Sequence, residues 1–193
     1  MALIVTISGS PSATSRTTAL ALHVGGQLAG RGFEVKSIAV RDLDATALLH
    51  GRADAPGVRD AIALVAAADA VVIATPVYKA AYTGVLKAFL DLLPQFGLAG
   101  KTVLPLATGG TIAHVLAIDY GLRPVLASLG ALHIVNGLFV LDKLLEQVDT
   151  GLKIDAEIGK RLDAVVDEFS LSVGRHHGSK AAAANVAPAA AAV

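Results

Sequence analysis

Apolar side chains recur along this chain in two rhythms. Residues 2–7 (ALIVTI), 70–74 (AVVIA), 102–107 (TVLPLA) and 133–140 (HIVNGLFV) are apolar on mostly consecutive positions. That is the pattern of a parallel strand covered on both faces. Residues 34–40 (EVKSIAV) alternate instead and predict a more exposed strand. Between these runs, apolar residues fall at helical spacing over 17–29, 58–67, 84–93, 112–129 and 154–171. Strand and helix alternate five times, which predicts an α/β domain with a parallel sheet and right-handed crossovers. Pro105 stands against the fourth run, because proline removes a ladder donor.

The periodic pattern carries the domain from residue 1 to 173. Residues 174–193 read as an alanine-rich, disordered tail, with nine alanines among the last thirteen residues. Its Arg175, His176 and His177 read as solvated side chains rather than metal ligands, and no metal is expected.

Composition narrows the class. The 193 residues include no cysteine, which excludes disulfides, thiolate metal sites and a cysteine nucleophile. Sixteen basic and sixteen acidic residues give zero net charge, so nothing electrostatic points to nucleic acid or to an anionic membrane. The hydrophobic fraction is 54% with only 4% aromatics, because 37 residues are alanine. Mean hydropathy is high, at +0.63. The longest uncharged run, 124–141, is interrupted by Pro124, Gly130, His133, Asn136 and Gly137 and does not suit a membrane span. No basic segment precedes the first apolar run, so no signal peptide is expected and the protein reads as cytoplasmic. The apolar excess then belongs to sheet faces covered by helices or to a large subunit interface, and a homo-oligomer, dimer or tetramer, is expected.

Three segments carry candidate chemistry. Residues 8–18 (SGSPSATSRTT) leave the first strand and open the first helix with seven hydroxyls in eleven residues. A helix N-terminus offers unpaired amides and a partial positive charge, and hydroxyl donors added there make a phosphate site. The segment is neither a GxGxxG nor a GxxxxGK[ST] loop. Hydroxyls without a Walker lysine fit a flavin mononucleotide (FMN) site at the strand-order reversal of a flavodoxin-like sheet. Residues 74–84 (ATPVYKAAYTG) leave the third strand with Tyr78 and Tyr82, aromatic enough to border a planar ring. Residues 107–114 (ATGGTIAH) leave the fourth, where two glycines free backbone amides to turn toward a ligand. All three loops fall on one sheet edge. His114 reads either as an acid or base or as a structural residue. Hydride transfer to a flavin needs no obligatory side-chain acid, so no catalytic residue is assigned.

These segments together resemble the NADPH-dependent FMN reductases of the flavodoxin-like superfamily. ATPVYKAAYTGVLK (74–87), GKTVLPLATGGTIAHVLAIDY (100–120) and LRPVL (122–126) look most like the reductase of two-component alkanesulfonate monooxygenase systems. The likeness runs to about Leu171. It implies a flavodoxin-like three-layer sandwich with a five-stranded parallel sheet of order 2-1-3-4-5. It implies Ser8, Ser10, Ser15, Arg16, Thr17 and Thr18 around the FMN phosphate. Pro76, Val77, Tyr78 and Lys79 would line the isoalloxazine from one loop, and Thr108, Gly109, Gly110 and Thr111 from another. The implied reaction reduces FMN with NADPH, NADH remaining open, and the reduced flavin leaves for a partner monooxygenase. In that subfamily a tyrosine inserted in the fourth helix makes a π-helix at the tetramer interface and is linked to flavin release. Tyr120, within IDYGLRP, matches it. One departure stands out: many relatives have GSxR where this chain has Ser12, leaving Arg16 as the nearest cation. Two other readings remain open, a quinone or azo reductase that retains FMN and a flavodoxin-type carrier. Zero net charge counts against the carrier, since such carriers are usually acidic.

Overall fold

The computed structural model describes residues 1–149 and 151–186. The first half of the chain contains β1 (Leu3–Ser8), α1 (Arg16–Gly30), β2 (Glu34–Ala39), α2 (Ala45–Leu49), α3 (Pro56–Ala67), β3 (Ala70–Tyr78), β4 (Ala81–Tyr82) and α4 (Gly84–Leu90). The second half contains β5 (Thr102–Gly109), α5 (Arg123–Ser128), β6 (His133–Ile134), β7 (Leu138–Leu141), β8 (Leu145–Val148), β9 (Gly151–Ile154) and α6 (Ala156–Val186). Parallel pairing runs β2-β1-β3-β5, and β6 and β7 both lie beside β5. Counted by the five apolar runs, this is the order 2-1-3-4-5 of a flavodoxin-like sheet.

The consecutive apolar positions have a direct cause. Along β1, Ile4 points into one core and Val5 into the other. Along β3, Val72 and Ile73 do the same. One core packs the sheet against Val58 and Val65 of α3, Phe89 of α4 and Leu126 of α5. The opposite core packs it against Leu20 and Val24 of α1 and Leu162 and Phe169 of α6. The result is a three-layer sandwich with both sheet faces dry.

Pro105 lies inside β5, and the neighbouring strand gives way around it. Thr102 and Val103 pair with His133 and Ile134, whereas Leu106 pairs with Leu138. Three residues (135–137) therefore face two (104–105), and the single strand expected over 133–140 is broken at that bulge. A Cβ on Gly137 would lie 2.7 Å from the Pro105 carbonyl oxygen, so only glycine fits there.

The helix expected over 112–129 is also broken. It consists of a 3-10 turn (Ile112–His114), a π-helix (Ala117–Leu122) and α5. Pro124 has no N–H to give the Tyr120 carbonyl, and in the first turn of α5 it needs none. The Arg123 amide donates to Ile118, five residues back. The Arg123 side chain then fastens the turn. It donates to Asp119 (2.9 Å) and to the carbonyls of Ile134 (3.0 Å) and Val135 (2.8 Å), the latter in the bulge.

Residues 144–155 hold an antiparallel hairpin, β8–β9, that hydrophobic spacing had merged into the loop and the last helix. Asp155 caps α6 by accepting from Glu157 and Ile158. That helix continues past residue 173, the expected end of the domain, as far as Val186. Alanine has the highest helix propensity, so residues 181–184 prolong the helix at low cost. Residues 187–193 of the expected tail, and the His177 side chain, lie outside the described residues. His176 packs its ring on His133, with centroids 4.8 Å apart. Among the described residues, no helix is long and apolar enough to cross a membrane.

Candidate functional site

The loops after β1, β3 and β5 meet at the C-terminal edge of the sheet, and named hydrogen bonds tie them together. The Gly9 amide donates to the Ala74 carbonyl (2.9 Å), and the Thr83 hydroxyl donates to the Gly9 carbonyl (2.5 Å). Thr83 also accepts from the Leu86 amide as N-cap of α4, while its own amide donates to the Thr75 hydroxyl. Thr17 and Thr108 share a 2.7 Å hydroxyl contact that joins the first loop to the third. Ser8 and Thr18 share another of 2.7 Å. Four of the expected phosphate and ring residues thus serve as struts, and Ser8, Thr17 and Thr108 are buried in doing so.

The first loop keeps donors for an anion. Ser15 caps α1 by accepting from the Thr18 amide. The first turn of this fifteen-residue helix carries no acidic residue. Ser10 is buried, its hydroxyl accepting from the Ser12 amide at 3.3 Å. Arg16 departs from its simplest expected role, because its Nε donates to the Leu145 carbonyl at 3.1 Å. The N-terminal amides and hydroxyls suit a phosphate, and the fit does not depend on a dedicated cation.

The second loop holds a backbone outlier. Val77 pairs with Tyr82 and Tyr78 with Ala81, leaving Lys79 and Ala80 as a two-residue hairpin turn. Their φ values are +50° and +66°. Both central residues are left-handed, the requirement of a type I′ turn that normally selects Asn-Gly. Such strain collects at ligand clamps. Tyr78 and Lys79 stand exposed at this tip, while Pro76 and Val77 are buried beneath it. Ala80→Gly should therefore stabilise the fold by about 1 kcal/mol and raise Tm by a few degrees in calorimetry.

The third loop is shaped by packing. A Cβ on Gly109 would lie 2.9 Å from the Phe139 ring, whereas Gly110 faces open space. Thr111 caps the following 3-10 turn through Ala113. His114 is half-buried at the end of that turn. Val77, Ala107, Ile118 and Phe139 form a small core under the loops, joining the π-helix to both. Gly121 in the π-helix lies over the Tyr82 ring, its Cβ position 3.6 Å from Cδ1. Tyr120 itself points outward and is 80% exposed, beside exposed Ile112 and Leu116.

A family model described as NADPH-dependent FMN reductase matches residues 2–146. The chain belongs to that family. It is 51% identical over 140 residues to an "FMN reductase (NADPH)" of Pseudomonas putida, covering 72% of this chain and 71% of the relative. It is 40% identical to an "FMN reductase (NADPH)" of Escherichia coli, covering 86% and 87%. A solved structure titled as an apo NADH:FMN oxidoreductase (EMOB) superposes with a TM-score of 0.83 at 46% identity, covering 89% of this chain and 90% of that one. The reductase thus has relatives named for either nicotinamide.

Sequence reasoning missed three parts of this site. Thr83 lies within the 74–84 segment, but its bond to Gly9 spans 74 residues and leaves no local trace. Gly9 owes its role to Leu86, equally remote. The β8–β9 hairpin left only a weak signal, the alternation of Leu152, Lys153 and Ile154, because LEQV (145–148) does not alternate.

Proposed function

We propose that this reductase transfers hydride from NADPH or NADH to FMN and releases the reduced flavin to a partner alkanesulfonate monooxygenase. It works in the cytoplasm, as a homo-oligomer. The observation that carries the reading is the π-helix at Ala117–Leu122 with Tyr120 exposed on it. An extra residue in a helix costs regular hydrogen bonding and persists mainly where it serves function.

In this reading the amides and hydroxyls of Ser10, Ser15, Arg16 and Thr17 hold the FMN phosphate, with Ser8 and Thr18 bracing them from below. Pro76, Val77, Tyr78 and Lys79 border the ring on one side, and Thr108, Gly109, Gly110 and Thr111 on the other. When bound, FMN supplies the ring that accepts the hydride. The chain's own task is to align two planar groups and exclude water, which needs no proton-transferring side chain. His114 accordingly serves position rather than catalysis. Tyr120 forms the subunit contact, and its helix reaches the ring loop through Gly121 on Tyr82.

An oxidation assay tests the whole reading. NADPH or NADH oxidation should depend on added free FMN, and flavin should be lost during gel filtration. Ping-pong kinetics with a quinone and flavin that survives gel filtration would instead make the protein a quinone or azo reductase. Failure to oxidise either nicotinamide with excess FMN would leave an electron carrier.

A further inference from the structure

The proposed phosphate loop is held from outside by an element with no expected role in the site. The β8–β9 hairpin lies across the start of α1. Its Gln147 side chain donates from Nε2 to the Ser15 carbonyl at 3.2 Å. Two residues earlier, the Leu145 carbonyl accepts from Arg16 Nε at 3.1 Å. These bonds run in opposite directions and grip adjacent residues, the N-cap and the first residue of α1. Leu145 is buried in the core shared with α1, which anchors the root of the hairpin. Gln147 itself is exposed and stands between two clefts, of about 490 and 810 Å³. The smaller cleft holds Arg16, Lys143, Glu146 and Gln147, and the larger runs between α1 and the hairpin. Open space on both flanks leaves the Gln147 bond as a polar tie from the outer part of β8 to the loop.

We infer that Gln147 is a positioning residue for the FMN phosphate. By holding the Ser15 carbonyl it fixes where the free amides of the α1 N-terminus point, and the Leu145–Arg16 bond fixes the next residue. A carbonyl accepting a side-chain donor also withdraws density from its peptide, making the Arg16 amide a better donor to an anion. The chain replaces the arginine of a GSxR loop with Ser12, and it spends the Nε of Arg16 on Leu145. That bond uses one of the five N–H donors of Arg16 and leaves its charge beside the loop, and the amide geometry that the hairpin sets acts together with it. The family match ends at Glu146, so Gln147 and β9 lie beyond the matched region. This inference rests on the phosphate site proposed above.

The test compares FMN with riboflavin, which has the same ring and no phosphate. Dissociation constants are measured by quenching of flavin fluorescence, with no nicotinamide present, for the wild-type chain and for Gln147→Leu. Leucine keeps the apolar stem and removes the donor. The expected result is FMN affinity weakened by about fivefold, the size of one lost hydrogen bond, with riboflavin affinity unchanged. Equal weakening for both flavins, or none for either, overturns the inference. A wild-type chain that binds FMN no more tightly than riboflavin overturns the phosphate site itself, and the inference falls with it. Ser10→Ala separates the two failures: it should erode the preference for FMN even where Gln147→Leu does not.

Discussion

On the flavin-release mechanism proposed above, deletion of Tyr120 should make the reductase retain its flavin. The π-helix exists because Ala117–Leu122 holds one residue more than an α-helical path would need, with Arg123 donating to Ile118. Removing that residue lets the turn close with ordinary spacing, which withdraws Gly121 from the Tyr82 ring and relaxes the ring loop. FMN should then survive gel filtration, and NADPH oxidation driven by free FMN should fall roughly tenfold or more, since release would limit turnover. The point variant Tyr120→Ala separates helix from ring. It keeps the inserted residue and removes the exposed aromatic surface. It should therefore weaken self-association in analytical ultracentrifugation while the flavin still dissociates. A deletion variant that loses its flavin as readily as the wild type would end the link between this helix and release.

Gly9→Ala should be the most damaging single methyl in the site. A Cβ there would stand 2.4 Å from the Leu86 Cβ and 3.2 Å from its Cα, so the clash is with the root of a helix residue rather than a flexible tip. Retreat is blocked, because the Gly9 amide is bonded to Ala74 and its carbonyl to Thr83. The cost should be roughly 2–4 kcal/mol. Denaturant unfolding would read this, together with loss of FMN binding as the first loop separates from α4. Leu86→Gly in the same chain, which removes that Cβ, should recover part of the loss, a non-additivity that marks the contact as the cause. Gly26→Ala is the control. Nothing lies within 4 Å of its Cβ position, and within α1 the change should stabilise by roughly 0.5–1 kcal/mol.

Much of the fold was legible because its cause is local. Ile4 beside Val5 and Val72 beside Ile73 belong to opposite cores, and that alternation is written as consecutive apolar letters. The hydroxyl-rich 8–18 segment and the glycine pair at 109–110 were equally visible, and the structure brings both to one edge. The π-helix was readable only through family resemblance. Spacing alone predicted an unbroken helix over 112–129, because one inserted residue barely disturbs an apolar period. The strand broken at 135–137 was foreshadowed by Pro105, an objection that the neighbouring bulge resolves.

The sequence by itself determined most of the strands and helices and the sheet edge that carries the loops, because burial on two faces and helix-capping chemistry act within a few residues, while the sheet order came from family resemblance. Only the tertiary structure decided what each site residue does there. Of the hydroxyls that look alike in the first loop, Ser8, Thr17 and Thr18 brace the loops and Ser15 caps a helix. Arg16 turns to Leu145, and Gln147 reaches back to Ser15. Apart from the Ser15 cap, whose partner is three residues on, those assignments depend on partners 10 to 132 residues away. A hydrogen bond is set by distances of a few tenths of an ångström, which a linear sequence carries only after the chain has folded.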